Sequence, residues 1–470
     1  MSERMDQALI ASFQREFGTA AVLTDAADMA RYLTDWRGQF HGKALAVLRP
    51  DCVEHVSSMV KQCHAHGVAI VPQGGNTGLA GGATPDADGK QLVLSLERMN
   101  RFRNIDPLDD TMIVEAGCIL QQVQEKALEA GKFFPLSFGA EGSAQVGGFL
   151  STNAGGTAVI RYGNARALTL GLEVVLADGA IWHGLKRLRK DNTGYALKQL
   201  FIGAEGSLGI ITAACLQLYP RPRQSCVALI AVASPQQALQ GLARFKAELG
   251  EFLSAFELMS EHAVSLAQNH LRLPPTLLPG APWMVLVEVA SANGSLNLAQ
   301  LMEDVLAGCF EDGLASDGVL AANQRQAREF WRIRESITLG ERDAGKSVKH
   351  DVSVPISAIP DFLDVVTAAI HASNPRLRPI VFGHMGDGNI HLNVVLPPEA
   401  DGQPSAQELN RLVHDIVHSF DGSISAEHGI GQYRISEMLR LKPGAEIELM
   451  QKIKHALDPQ RQMNPGKVLF

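Results

Sequence analysis

The sequence lacks a long apolar run and a recognisable targeting leader. No uninterrupted stretch reaches the roughly 18 apolar residues that suggest a membrane-spanning helix. Residues 1–6 show neither the apolar core of a signal peptide nor the Arg-rich, acid-poor pattern of a transit peptide. We therefore expect a chain without a membrane span that resides in the cytoplasm or, as a mature protein, in an organellar matrix.

Paired cysteines and an excess of positive charge are also missing. The six cysteines are scattered and include no Cys-x-x-Cys pair, which predicts reduced, buried thiols and no disulfide framework. The formal net charge of −8 disfavours a nucleic-acid partner, because domains that bind nucleic acids are usually basic. A length of 470 residues, 46% of them hydrophobic, is typical of a globular protein of roughly two to four domains.

The tetrapeptide Cys63-His64-Ala65-His66 suggests a metal site at first sight. Apolar residues, however, recur from Cys52 to Cys63 at the spacing of one helix face, which predicts a helix over residues 52–66. On such a helix His64 and His66 point in divergent directions. We expect a helix that packs on the core and no metal at this position.

Strand and helix patterns mix along the chain, which indicates an α+β or α/β fold for its N-terminal half. The segment Tyr219–Arg223 contains two prolines, which cannot continue a helix or a central strand, so it predicts a domain boundary. A strand, a helix and two further strands are predicted after it, at residues 226–232, 235–249, near 256–258 and 283–289. This order suits a ferredoxin-like domain.

The chain contains a glycine-rich segment at residues 72–82, directly after a predicted buried strand at 68–71. Its glycines allow positive φ and a close approach of the backbone to a ligand. Successive backbone N–H groups can form a nest that binds a phosphate. No Gly-Lys-Ser/Thr ends the segment and its spacing is not Gly-x-Gly-x-x-Gly, which excludes a P-loop and the dinucleotide fingerprint. By itself, the segment could equally be a surface turn.

Histidines cluster in the second half of the chain. Residues 378–395 predict a β-hairpin that turns around residues 387–389. On the return strand His391 and Asn393 share one face, and the turn would place His384 opposite His391. Two imidazoles across a hairpin suit a borderline metal such as zinc, although a single histidine is more often structural.

A catalytic zinc usually needs a third protein ligand. The glycine-rich stretch that contains Glu427 and His428 supplies Glu427 as a candidate ligand. Its glycines predict a loop whose backbone can approach a ligand closely. Upstream, a helix predicted over residues 331–338 places Arg334 and Thr338 one turn apart, where Arg334 could bind a carboxylate. A solvated basic face is an equally simple interpretation of these cationic residues.

Two more glycine-rich segments, residues 134–156 and 191–212, follow the first in the order found in flavoproteins related to vanillyl-alcohol oxidase and p-cresol methylhydroxylase. With the late segments and the C-terminal residues 463–467, the chain from about residue 40 to 470 resembles the FAD-binding D-2-hydroxyacid dehydrogenases of that superfamily. The resemblance implies an α+β fold with two α+β subdomains that hold FAD. It also implies a ferredoxin-like substrate (cap) domain and a C-terminal segment that returns to the flavin.

We accordingly predict an FAD-binding domain over residues 1–222, a substrate domain with the metal site over 223–430 and the C-terminal segment over 431–470. Asn76 follows the Gly-Gly pair where some tethered flavoproteins carry a histidine, so we expect non-covalent FAD. The residues that the resemblance implies for FAD binding are Pro72, Gln73, Gly74, Gly75, Asn76, Thr77, Gly78, Leu79, Pro135, Leu136, Gly139, Ser143, Gly147, Gly148, Ser151, Thr152, Asn153, Gly163, Glu205, Gly209, Ile210 and Asn464.

The resemblance also implies roles for the late residues. His384, His391 and Glu427 would bind a divalent metal, zinc or else manganese; Arg334, Thr338, Lys349 and Asn393 would hold the substrate; and His428 would be the base. The implied reaction converts D-2-hydroxyglutarate to 2-oxoglutarate and passes electrons to a flavoprotein, quinone or cytochrome. D-lactate, glycolate or D-malate as substrate, or a role as the flavin subunit of a larger electron-transfer complex, are the alternatives. A homodimer is compatible with the sequence.

Overall fold

The computed structural model describes residues 2–274, 278–396 and 404–469. The chain divides into two compact units. Unit 1 consists of Met1–Gly155, Asn164–Pro220 and Glu427–Phe470, and unit 2 consists of Gly156–Gly163 and Arg221–Ala426. The short segment Gly156–Gly163, which lies within the FAD-binding domain predicted from the sequence, thus belongs to unit 2. The three-part division of the chain stays a prediction.

The strands range in length from two residues in β1 to nine in β12. In chain order they are β1 (Val22–Leu23), β2 (Val47–Leu48), β3 (Ile70–Gln73), β4 (Leu92–Ser95), β5 (Phe102–Asp106), β6 (Thr111–Glu115), β7 (Lys132–Phe133), β8 (Thr169–Val175), β9 (Ile181–Gly184), β10 (Ile210–Gln217), β11 (Tyr219–Pro220), β12 (Gln224–Val232), β13 (Leu253–Ser260), β14 (Trp283–Ser291), β15 (Asp317–Leu320), β16 (Ser347–Ser353), β17 (Arg378–His384) and β18 (Asn389–Val395).

The α-helices alternate with these strands. They are α1 (Ser2–Phe17), α2 (Ala26–Met29), α3 (Val53–His66), α4 (Leu120–Glu129), α5 (Val146–Ser151), α6 (Val159–Tyr162), α7 (Lys198–Phe201), α8 (Pro235–Leu249), α9 (Glu261–Leu271), α10 (Leu298–Glu311), α11 (Gln324–Glu335), α12 (Ile337–Ala344), α13 (Ile359–Ser373), α14 (Ala406–Ser419), α15 (Ile435–Leu441) and α16 (Gly444–Leu457). The helix predicted over residues 52–66 is α3, whose buried face includes Val56, Met59, Val60 and Cys63.

Unit 1 contains two main sheets, each with its own helices. The first has the strand order β1-β2-β4-β3 and the second, which is antiparallel, has the order β5-β6-β10-β8-β9. One hydrophobic core joins them, because it contains Leu48 and Ile70 from the first sheet as well as Val175 and Ile210 from the second. The two predicted α+β subdomains are therefore present.

Unit 2 is built on one antiparallel sheet of seven strands in the order β15-β12-β14-β13-β17-β18-β16. Strand β12 alternates its side chains between the two faces of the sheet. Leu229 packs with Phe330 of α11 and Ile337 of α12 on one face. Ile230 of β12 points to the opposite face of the sheet, where it lies beside Phe245 of α8. The predicted order of strand, helix and two strands after residue 225 is confirmed by β12, α8, β13 and β14.

One stretch departs from the expectation that no segment is suited to span a membrane. Among the described residues, Ile356–Ser373 qualifies by length and composition alone. The sequence shows no uninterrupted apolar run there because Asp361 and Asp364 interrupt it. Helix α13 within this stretch buries one face, and Phe362 contacts Phe420 with ring centroids 5.8 Å apart. This is the pattern of an amphipathic helix that packs on a core.

Candidate functional site

The first glycine-rich segment lies after β3, where it closely approaches the second segment. A Cβ at Gly74 would lie 3.3 Å from Cα of Gly148, and a Cβ at Gly75 would overlap the carbonyl oxygen of Ser143. Glycine at position 75 is therefore required for these two backbones to meet. The amide of the buried Gln73 anchors the segment by donating to the carbonyls of Tyr32 at 2.9 Å and Ala83 at 2.8 Å.

Asn76 has a left-handed backbone conformation, with φ of 53°. Asparagine tolerates this conformation better than most residues because its short amide can bond to nearby backbone. The side chain of Asn76 donates to the carbonyl of Thr34 at 2.8 Å. Asn76 thus helps to fix the shape of the loop.

The third glycine-rich segment connects the second segment to the end of the chain. The backbone N–H of Glu205 donates to the carbonyl of Ser151 at 2.8 Å. The buried carboxylate of Glu205 accepts from the backbone N–H groups of Ile430 at 2.7 Å and Gly431 at 2.9 Å. Burial raises the pKa of Glu205, and the two N–H donors oppose this shift. Asn464 donates to the carbonyl of Glu205 at 2.7 Å, so the predicted FAD-binding segments of unit 1 converge.

Replacing Glu205 with glutamine should weaken this convergence. An amide has one acceptor oxygen, so one of the two N–H groups would face another donor, at a cost of about 1–3 kcal/mol. We expect the urea concentration at which unit 1 releases its flavin to fall. Glu129→Gln, at an exposed position of α4, is the control and should leave the flavin-release midpoint in place. An unchanged midpoint in Glu205→Gln would contradict the structural role of this carboxylate.

Unit 1 also contains buried oxygens suited to a polar ligand. Oε1 of Gln145 and Oδ1 of Asn464 are buried and have no hydrogen-bond partner among the described residues. Gln145 lies between the predicted residues Ser143 and Gly147, and the predicted set did not include it. Together with the glycine at position 75, these acceptors fit a large cofactor with hydrogen-bond donors, such as the ring system of FAD. A buried polar side chain within a glycine-rich segment is the signal that could have identified Gln145.

The other predicted FAD-binding residues occupy loops, helix ends and strand ends. Pro72 is the second-last residue of β3, and Thr77, Gly78 and Leu79 lie in the loop after that strand. The loop after β7 contains Pro135, Leu136 and Gly139. Helix α5 contains Gly147 and Ser151 and is followed by Thr152 and Asn153, and Gly209 precedes β10. Ile210 packs its side chain in the core of unit 1. Gly163 falls in unit 2. The FAD contacts of these residues stay predictions.

In unit 2 the hairpin of β17 and β18 forms as predicted, but with a different register. Phe382, and not His384, is the strand partner of His391. The connection runs from Met385 to Gly388, so His384 ends its strand two residues beyond the partner of His391. Both histidines still lie on one face, with ring centroids 5.5 Å apart. The exact opposition predicted from the sequence was therefore wrong, while the proximity of the two imidazoles was correct.

A buried carboxylate that the sequence reasoning missed connects two predicted site residues. Oε1 of Glu257 lies 2.6 Å from Nδ1 of His384, and Oε2 accepts from Nε of Arg334 at 2.6 Å. Burial by itself would raise the pKa of Glu257, but His384 and Arg334 outweigh it and lower the pKa to about 2. The guanidinium of Arg334 also lies over the ring of Phe382, 4.9 Å from its centroid.

A second missed carboxylate, Glu341, holds two other predicted site residues. It accepts from Nδ2 of Asn393 at 2.8 Å and lies 3.2 Å from Nζ of Lys349. Lys349 and Asn393 are strand partners, as are Asp351 and His391. Lys349 and Asp351 of β16 therefore lie on the same face of the sheet as Asn393 and His391 of β18.

Arg334 and Thr338 do not share one continuous helix. Helix α11 ends at Glu335 and α12 begins at Ile337, so residues 331–338 are helical as predicted except for an interruption at Ser336. Ile337, the first residue of α12, packs into the core of unit 2. Arg334 is buried, whereas Thr338 is exposed. The predicted role of Thr338 in substrate binding stays a prediction.

Glu427 and His428 begin the last segment of unit 1. Directly before them, the backbone N–H of Ala426 donates to the carbonyl of Asp351 at 3.1 Å within unit 2.

Two histidines near the end of α3, His64 and His66, lie within hydrogen-bond distance of other residues of unit 1. Nδ1 of His64 lies 3.1 Å from Oε1 of Gln462, and Nδ1 of His66 lies 2.7 Å from the carbonyl of Gln62.

Comparison with known families and structures agrees with this description. Residues 44–184 match the family described as FAD binding domain, and residues 221–468 match the FAD linked oxidases, C-terminal domain. Among solved structures, p-cresol methylhydroxylase with substrate bound has a TM-score of 0.76 at 17% identity, and the alignment covers 99% of this chain and 96% of the p-cresol methylhydroxylase chain. A 4-ethylphenol oxidase from Gulosibacter chungangensis has a TM-score of 0.73 at 18% identity, covering 99% and 97%. The fold is that of p-cresol methylhydroxylase-type flavoproteins.

Curated relatives align over nearly the whole chain. D-2-hydroxyglutarate dehydrogenase from Xanthomonas citri pv. viticola is 39% identical, covering 98% of this chain and 96% of that protein. The mitochondrial D-2-hydroxyglutarate dehydrogenase of Rattus norvegicus is 38% identical, covering 95% and 82%. A putative mitochondrial D-lactate dehydrogenase of Schizosaccharomyces pombe is 38% identical, covering 94% and 85%. The chain belongs to the FAD-linked oxidases, an enzyme family that uses FAD, and the resemblance inferred from the sequence is confirmed.

Proposed function

We propose that the protein oxidises a D-2-hydroxy acid, specifically D-2-hydroxyglutarate, to the 2-oxo acid. The observation that carries the proposal is the arrangement of cationic and imidazole side chains in unit 2. Arg334 and His384 share Glu257, and Lys349 and Asn393 share Glu341. Two cationic side chains, Arg334 and Lys349, suit a substrate with two carboxylates. Relatives named for this activity from bacteria and mitochondria support the choice.

FAD, bound non-covalently, would supply the acceptor for the hydride from C2 of the substrate. In unit 1 it would be held by the glycine-rich segments and by the buried acceptors of Gln145 and Asn464. Asn76 in place of a histidine supports the absence of a tether at that position. The final electron acceptor, a flavoprotein, quinone or cytochrome, and a homodimeric assembly belong to the same proposal.

His384, His391 and Glu427 would hold a divalent metal, zinc or manganese, which would polarise the substrate hydroxyl. The two imidazoles in unit 2, with ring centroids 5.5 Å apart, are donors that suit such an ion. Nδ1 of His384 is bonded to Glu257, so Nε2 is the nitrogen that would bind the metal. Glu427 is the residue after Ala426, which is anchored to the strand of Asp351. This continuity of the chain supports Glu427 as the third ligand.

In this mechanism Arg334 and Lys349 bind the substrate carboxylates, and Asn393 and Thr338 orient the substrate. His428 removes the hydroxyl proton as general base. The proposal is tested by incubating the flavoprotein with D-2-hydroxyglutarate and an artificial electron acceptor and identifying the product. Formation of 2-oxoglutarate in proportion to the acceptor reduced is the expected result. Acceptor reduction by none of the candidate hydroxy acids would contradict the proposal.

D-lactate is the second candidate substrate, because one close relative is named for it; glycolate and D-malate share its chemistry. Lys349 discriminates between them. Lys349→Ala should lower kcat/KM for D-2-hydroxyglutarate about 10–100-fold, the value of one charge-assisted hydrogen bond of about 1.5–3 kcal/mol. The kcat/KM for D-lactate, which lacks a distal carboxylate, should change little. Equal losses for both acids would remove Lys349 from distal carboxylate recognition.

The compartment is the cytoplasm or an organellar matrix. Several relatives carry the word mitochondrial in their names, and the bacterial relative does not. Fractionation of cells that express the full-length protein tests this prediction. Recovery in the membrane pellet after a salt wash would contradict it.

A further inference from the structure

Glu257 lies in the middle of the unit 2 sheet, on β13 between β14 and β17. Its side chain has 0% exposure, and its strand partner on β17 is His384. Removing a carboxylate from water costs several kcal/mol unless its partners compensate for the loss. Each oxygen of Glu257 has one such partner: Nδ1 of His384 and Nε of Arg334, each at 2.6 Å.

We propose that Glu257 is a positioning residue that sets His384 for metal binding and Arg334 for substrate binding, and so links the two events. This inference rests on the proposed function, because it assumes a metal at His384 and a substrate carboxylate at Arg334. It assigns a role to a residue that itself contacts neither the metal nor the substrate.

The link to the metal follows from the chemistry of imidazole. A carboxylate that accepts from Nδ1–H fixes the tautomer whose lone pair is on Nε2, and it raises the basicity of that nitrogen. Loss of such a partner typically weakens metal affinity about 10–100-fold. The 2.6 Å distance between Glu257 and His384 and the register of their strands place the ring in one orientation.

The link to the substrate follows from how Arg334 is held. Glu257 bonds to Nε, and the ring of Phe382 lies against the guanidinium. Among the described residues, the two terminal nitrogens of Arg334 have no hydrogen bond, so they remain as a fork for a carboxylate. Without Glu257 the buried guanidinium would lose its counter-charge and its fixed orientation.

A matched control lies on the neighbouring strand. Glu288 of β14 is a half-buried carboxylate, and it accepts from Nε1 of Trp331 at 2.7 Å and from Oγ of Ser254 at 3.3 Å. Burial raises the pKa of Glu288. Its partner Trp331 lies on the same helix as Arg334, so Glu288→Gln perturbs the same sheet and helix without touching His384.

The experiment measures zinc affinity of the purified flavoprotein, stripped of metal and titrated against a chromophoric zinc chelator. Glu257→Gln should raise the zinc dissociation constant about 10–100-fold. Glu288→Gln should leave it within about twofold of the wild-type value, and flavin content should be equal in all three proteins. At saturating zinc, Glu257→Gln should regain kcat but keep a raised KM, because excess metal compensates for His384 and not for Arg334.

Wild-type zinc affinity in Glu257→Gln, or a restored KM at saturating zinc, would overturn the inference and leave the proposed function standing. A wild-type protein that binds neither zinc nor manganese would overturn the proposed metal site together with the inference. If Glu257→Gln fails to fold, Glu257→Asp carries the test. Aspartate keeps the negative charge, but its side chain is one methylene shorter, so its carboxylate lies farther from His384. We expect a smaller loss of zinc affinity than in Glu257→Gln, and no loss would overturn the inference.

Discussion

His428→Ala should retain FAD and lose turnover by about 10²–10⁴-fold, the usual contribution of a positioned general base. The substrate hydroxyl must lose its proton as the hydride leaves C2, and His428 is the proposed acceptor of that proton. The loss should appear in kcat, because the residue acts in the transition state and is not needed to bind the carboxylates. The measurement is steady-state turnover with an artificial electron acceptor, at equal flavin content.

His455→Ala is the matched control for this variant. His455 is an exposed histidine on α16, in the same unit as His428, and it is not part of the proposed site. It should leave kcat within about twofold of the wild-type value, as expected for surface substitutions. Near-normal turnover in His428→Ala would exclude this residue as the base.

Removing the metal should abolish turnover without releasing the flavin. Two of the three proposed ligands, His384 and His391, lie in unit 2, whereas Glu427 and the glycine-rich segments implied for FAD lie in unit 1. A bound divalent ion lowers the pKa of a coordinated hydroxyl and is worth several kcal/mol in the transition state. We expect the visible flavin spectrum to persist after dialysis against a chelator, while turnover falls to background. Adding zinc or manganese should restore it.

The control for metal removal is the same chelator saturated with zinc before dialysis. It separates the loss of the ion from any direct inhibition by the chelator. Full turnover in a protein shown to be free of metal by elemental analysis would contradict the role of the ion. Loss of flavin together with the metal would show that the two cofactors are not held independently.

Local patterns in the sequence predicted much of the fold. The apolar face of α3 and the alternation of side chains along β18 each depend on neighbours within one element, and the structure confirms them. The hairpin register differed because it depends on the length of the connection at Met385–Gly388. The interruption between α11 and α12 at Ser336 was not predicted.

The two carboxylates of the site could not be inferred from the sequence. Glu257 is 127 positions from His384, and Glu341 is 52 positions from Asn393. Only the order of strands in the seven-stranded sheet brings β13 beside β17, and only the packing of α12 brings Glu341 to the strand pair. The sequence patterns therefore identified His384 and Asn393 as candidate site residues but not Glu257 and Glu341, which hold their side chains.

An anaerobic absorbance scan of the purified protein, before and after addition of each hydroxy acid, tests the central claim most directly. We expect a visible flavin band that D-2-hydroxyglutarate bleaches and D-lactate does not. Bleaching by D-lactate instead would keep the mechanism and change the substrate. A flavin that no hydroxy acid reduces would contradict the proposed oxidation of 2-hydroxy acids.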